Sequence, residues 1–277
     1  MDLFHTNVRI DPTKTITLRR KYEAEATRRF KTLRKEVKDA ILDTPQQIKT
    51  NAFEFTRSPR KVPEFMKWLK RRVDFTIFDG VTDISTTNKA WQNVYIQTAY
   101  QKGIAAAAGN LRSAGVEVSD RYISSAFYQP IHADRAGLLY TRAFTDLQGV
   151  TAAMSTKMGR VLAAGILEGR GVMDIADDLV DIVDGIGIVR ARMIARSEVI
   201  AAHAEASLNV YEEAGLKGVN LQSEFSTARD DAVCPECDKL AGKLYSVEEA
   251  RGVIPVHPNC RCAWLPVVED PESAQLH

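Results

Sequence analysis

The chain lacks most of the features that would assign it at sight. No run of about 18 apolar residues occurs in its 277 residues, which excludes a membrane-spanning helix. The stretch from Met1 to Arg9 holds no apolar segment of signal-peptide length, so Sec-type export is not expected. There is no glycine-rich phosphate loop, since Gly185-Ile186-Gly187 is too short for one. No G-x-S-x-G element or other nucleophile motif appears, and no internal repeat or low-complexity tract. Cysteine is scarce, at 4 residues, and the net charge is only +1. What remains is ordinary globular material, 45% hydrophobic and 26% charged, enough for one large core or two modest ones.

The small net charge conceals an asymmetry. Residues 1–72 carry 19 Lys and Arg against 9 Asp and Glu, a net of +10, while residues 73–277 carry a net of −9. A basic arm on an acidic body suits an anionic partner, nucleic acid or an acidic protein surface. A solvated outer helix face would explain the same charges. Within the arm, Leu18, Tyr22, Ala26, Phe30, Leu33, Val37 and Ile41 recur at helical steps. They predict a helix over residues 14–42, about 44 Å long at 1.5 Å per residue, stopped by Thr44-Pro45. The apolar stripe needs a partner, in this chain or another. Arg19, Arg20, Arg28, Arg29, Arg34, Lys35 and the stripe residue Phe30 are the candidate partner-binding positions.

Further helices are predicted from Pro63, with Phe65, Trp68, Leu69 and Val73 on one face, and over residues 86–110. Residues 119–133, with Pro130 inside them, read as a linker. A long helix follows over 134–167, broken by Gly169 and Gly171, with Met154 and Met158 as core filler. After a short helix around Ile175, Leu179 and Ile182, another spans 186–214, with Gly215 as its stop. Then the period changes to two: Val219, Leu221, Ser223, Phe225 and Thr227 read as a half-buried strand. Ser246-Val247-Glu248-Glu249 is a capping box, and 262–268 a closing strand whose Pro266 marks a sheet edge. The expected fold class is therefore a mainly α region with long helices, followed by a small α+β C-terminal module with a Cys/His cluster. The divisions fall at 1–118, 119–133, 134–214 and 215–277.

All four cysteines lie in that module, as Cys234-Pro235-Glu236-Cys237 and His257-Pro258-Asn259-Cys260-Arg261-Cys262. In a reducing cytosol, clustered cysteines more often bind metal than pair. Zinc takes four ligands. Cys234, Cys237, Cys260 and Cys262 form the expected quartet around one structural Zn²⁺, with His257 as the alternative ligand. Reduced packing and disulfides stay open as competing readings. His203-Ala204-Glu205 together with Cys234-Pro235-Glu236-Cys237 imitates the zinc nucleobase deaminase signature. Yet Val233, not proline, precedes Cys234, and His203 falls deep inside a predicted helix. That reading would also leave His257, Cys260 and Cys262 without a role. Arg196, on the same helix as Glu198, is expected to tie the helix to backbone carbonyls or to a carboxylate of the next element, which Asp230 or Asp231 would supply.

The motifs between 162 and 262 resemble those of the Mu-type minor head proteins of tailed phages, the phage head morphogenesis family. They run in order from Leu162-Ala163-Ala164-Gly165 through Ala195-Arg196-Ser197-Glu198 and Asp230-Asp231-Ala232-Val233-Cys234 to Leu240-Ala241-Gly242 and His257-Pro258-Asn259-Cys260-Arg261-Cys262. Ser197 stands where the family usually has Thr, which keeps the hydroxyl. Some relatives carry a toxin domain after this signature; only 15 residues follow Cys262, so none is expected here. Arg196, Glu198, Asp230 and Gly242 become structural motif positions by this resemblance. It implies a non-enzymatic virion protein, made in the host cytoplasm and lying inside the capsid near the portal vertex. The implied partners are the portal protein, the major capsid or scaffolding protein, and packaged DNA through the basic helix; no membrane is implied. The implied work is head morphogenesis and DNA packaging or ejection. The alternative is a zinc-dependent deaminase or other nucleic-acid enzyme.

Overall fold

The computed structural model describes residues 11–42, 61–83, 86, 89–269 and 275–276. The long helices are α1 (Ile16–Leu42), α2 (Lys61–Thr76), α3 (Asn93–Ser113), α5 (Pro130–Leu167) and α7 (Val189–Leu216). Between them lie β1 (Glu117–Val118), α4 (Asp120–Ser125) and α6 (Val172–Ile182). The C-terminal module holds β2 (Leu221–Ser226), α8 (Pro235–Asp238), β3 (Leu244–Tyr245), α9 (Val247–Ala250) and β4 (Ala263–Val268), with β5 (Gln275–Leu276) beyond it. The expected fold class is the one found. The stop at Thr44-Pro45 lies outside the described residues.

The chain forms two compact units, neither continuous in sequence. One comprises Met1–Arg20, Val94–Leu139 and Arg196–His277; the other comprises Lys21–Asn93 and Tyr140–Ala195. Helices α1, α5 and α7 contribute to both. These groupings cut across the divisions expected from composition. Residues 119–133 are no linker. Ser119 caps α4 by accepting from the Tyr122 N–H at 3.1 Å, and Tyr122 is buried. Pro130 opens α5 instead of interrupting it, because the first helical turn has no use for its missing N–H.

In the second unit, the α1 stripe (Phe30, Leu33, Val37) meets Phe65 and Leu69 of α2, Phe144, Met154 and Met158 of α5, and Leu179 of α6 in one core. Residues 183–188 form a wide turn in which the Val189 N–H bonds the Asp184 carbonyl, an i→i+5 link. This turn places Gly187 against Phe30. A Cβ there would lie 2.5 Å from the ring. The Gly185-Ile186-Gly187 stretch is thus a packing device.

In the first unit, α3 and α7 approach equally closely, since a Cβ on Gly103 would stand 2.4 Å from the His203 carbonyl. The end of α7 is set by Gly218 rather than Gly215. Gly218 adopts φ +93°, the Val219 N–H reaches the Ala214 carbonyl at 3.1 Å, and its own N–H reaches Gly215 at 3.0 Å. The strands form an antiparallel sheet in the order β3-β2-β4. Phe225 stands opposite Trp264, and Ser223 opposite both Tyr245 and Pro266. Pro266 therefore does sit on an edge strand. Both halves of the Ser246–Glu249 capping box are formed. Trp264 is the module's centre, edge-on to Phe225 and Tyr245 at 5.6 and 5.5 Å, with its carbonyl taken by the Tyr211 hydroxyl of α7 at 3.1 Å.

Candidate metal centre

The sheet brings the two cysteine groups together. Cys234 caps the one-turn helix α8, and the Cys237 N–H donates to its sulfur at 3.4 Å. The second group arrives on the loop between α9 and β4. There the Cys260 N–H closes a turn onto the His257 carbonyl at 3.1 Å, and Asn259 takes φ +69°. Two sets of donors result, Cys234–Cys237–His257 and Cys237–Cys260–Cys262, each with its ligand atoms within 4.8 Å of one another. Cys237 belongs to both. Three thiolates or two thiolates and an imidazole at such spacing can hold a metal ion. His257 is not peripheral: its Nε2 lies 3.1 Å from the Cys234 sulfur and 3.2 Å from that of Cys237. Its Nδ1 is 2.7 Å from the Pro258 carbonyl, which can only accept, so Nδ1 carries the proton.

The thiols differ in acidity. Donation from the Cys262 thiol brings Cys260 down to about 5, despite burial. The same contact, with burial, pushes Cys262 up. Burial and the nearby Cys260 push Cys237 up to about 12, while the Cys237 N–H lowers Cys234. The bond to Pro258 raises His257.

Several of the remaining motif residues make folding contacts. Arg261 forks onto Asp230 at 2.6 and 2.7 Å, and Asp230 also accepts the Ala232 N–H at 3.1 Å. Asp230 thus holds Arg261, and Arg196 reaches the Asn259 side chain at 2.5 Å, which ties α7 to the turn that carries His257 and Cys260. Glu198 is buried on α7. Gly242, at φ +75°, turns the chain into β3, its N–H bonded to the Phe225 carbonyl at 2.9 Å.

Sequence reasoning missed two features. Arg251, at the end of α9, reaches Glu205 at 2.8 Å, Asn209 at 2.9 Å and Glu212 at 2.5 Å, binding the module to α7. The buried Asn209 in turn donates to Tyr100 at 2.6 Å, and Tyr100 meets the buried His132 at 3.0 Å. Acidic and amide residues at helical spacing, 205, 209 and 212, were the one available signal.

The deaminase signature is not assembled. His203 is buried and belongs to neither donor set, His257 takes its place beside Cys234 and Cys237, and Glu205 is held by Arg251. The partner-binding positions also need correction. Arg19 and Arg29 are 7% and 8% exposed and Phe30 is 1% exposed, so none of them offers a surface. Arg19 pairs with Asp11 at 2.8 Å, and Arg29 forks onto Asp79 at 2.7 and 2.8 Å beneath the Trp91 ring. Buried guanidinium groups persist only when so paired. Arg28 and Arg34 are exposed but engaged with Glu25 and Asp184. Arg20 and Lys35 are exposed, with no ion-pair partner among the described residues.

A long-helix scaffold carrying a small sheet module, with thiol and imidazole groups gathered beside the sheet, is the class defined by this geometry. Residues 156–265, from the middle of α5 into β4, match the family described as phage Mu protein F like protein. The chain is similar to that family over this segment, which supports a Mu-type phage head morphogenesis family. No curated protein and no solved structure matches the chain.

Proposed function

We propose that the protein is a minor head protein of a tailed phage. In this reading it is a structural part of the virion, held inside the capsid at the portal vertex after assembly in the host cytoplasm. The carrying observation is the family match over residues 156–265, whose motif residues are spent on folding contacts: Arg261 on Asp230, Arg196 on Asn259, Gly242 on the turn into β3. The portal protein is the expected principal contact, with the major capsid or scaffolding protein as a second. Packaged DNA is a third, met by the exposed cations Arg20, Lys21, Lys31 and Lys35 of α1. Participation in head morphogenesis and in packaging or ejection follows from that location. The Cys/His cluster holds one structural Zn²⁺, whose work is to clasp the α8 turn to β4.

Mass spectrometry of purified phage particles tests the reading. The protein is expected at a small fraction of the major capsid protein and to remain with particles after nuclease treatment. Its absence from intact particles would overturn the assignment.

A further inference from the structure

The cluster offers five donors, and zinc takes four. Two turns of the same length supply four of them. Cys234 and Cys237 flank one turn, and His257 and Cys260 flank the other, each pair three residues apart and each turn closed by a hydrogen bond from its last N–H. That spacing directs both donors of a turn to one side. The imidazole is already posed as a ligand. With Nδ1 committed to the Pro258 carbonyl, the single Nε2 lone pair points at two sulfurs, 3.1 and 3.2 Å away. One lone pair cannot accept well from two thiols, but a cation shared by all three atoms satisfies it.

Cys260 and Cys262 share one donor group with Cys237, and they differ in their attachment to the sheet. The neighbour of Cys262, Ala263, begins β4, paired through Ala263↔Ser226 to Val268↔Leu221 along β2. Moving Cys262 towards Cys234 and His257 would pull on that ladder, whereas Cys260 sits on the loop. We infer that the metal ligands are Cys234, Cys237, His257 and Cys260, and that Cys262 stays a thiol beside the Cys260 sulfur. This rests on the zinc reading of the cluster and replaces the four-cysteine quartet.

The experiment uses the full chain, purified under reducing conditions without chelator. Metal content and the spectrum of the Co²⁺-substituted wild type are read first, because they require no variant to fold. One metal per chain is expected, with sulfur-to-cobalt charge transfer of the strength given by three thiolates. Cys262→Ser should keep one metal with an unchanged spectrum. His257→Ala and Cys260→Ser should each lose the metal or bind it more than tenfold more weakly. A four-thiolate spectrum, or metal lost in Cys262→Ser and kept in His257→Ala, would overturn the ligand set and leave zinc standing. A wild type without metal would overturn the zinc reading itself, and the ligand set with it.

Discussion

His203 and Arg261 show how much single side chains decide. His203 is buried, with neither ring nitrogen hydrogen-bonded among the described residues. Burial lowers its pKa from 6.5 to about 4. Between these values the unfolded chain binds a proton that the folded chain refuses, so stability falls as pH drops through that window. The loss is of order 3 kcal/mol at 1.36 kcal/mol per unit. Denaturant melts at pH 7.5 and pH 5 should show a smaller difference for His203→Leu than for the wild type. Equal differences would remove His203 as the cause. Arg261 makes a two-pronged contact that an ammonium cannot copy. Arg261→Lys is expected to destabilise the protein by about 1–2 kcal/mol, and to add almost nothing when Asp230 is already Asn. A double-mutant cycle by chemical denaturation checks this.

At the scale of elements, local chemistry was legible and long-range fit was not. The α1 stripe, the capping box at Ser246 and the edge position of Pro266 could all be read because each depends on neighbours within a few residues. The same holds for the cysteine groups, whose spacing announces a ligand set. The H-x-x-C spacing offered His257 as the alternative ligand, but its place beside the Cys234 and Cys237 sulfurs depends on how the loop before β4 lies against α8, which spacing alone does not encode. Pro130 and Gly215 misled for a related reason: a proline or glycine marks a boundary, but the side of the boundary is fixed by capping bonds. The buried fate of Arg29 was hidden because Asp79 lies 50 residues away. The wide turn before α7 yields the third prediction. Gly187→Ala drives a methyl into Phe30, whereas Gly185→Ala meets nothing within 4 Å. The first should cost about 1–3 kcal/mol as an overpacked core, the second less than about 0.5 kcal/mol. Thermal unfolding of the two variants side by side decides it.

For the whole molecule, the charge asymmetry survives only in part, since pairing removes Arg19, Arg29, Arg34 and Lys38 from the free cations of α1. If DNA is met through the remainder, Lys31→Glu with Lys35→Glu should weaken duplex binding regardless of sequence. The double change should also reduce the salt dependence by about two phosphate contacts. Filter binding over a salt series measures both; an unchanged slope would remove these residues from the contact. The two units also predict how the chain can be cut. A fragment of residues 134–277 lacks Tyr100, Gly103 and Tyr122, all of the unit that holds the cysteine cluster. It is expected to show no cooperative melt by circular dichroism. The same interleaving sets a timetable for synthesis. Strand β4, which begins directly after Cys262, is made long after residues 94–139, yet both belong to one unit. At roughly 5–20 residues per second, the earlier residues wait several seconds or longer on the ribosome with their apolar faces uncovered. Chaperone occupancy of the nascent chain should therefore persist until the module emerges, long after the first helix has left the exit tunnel.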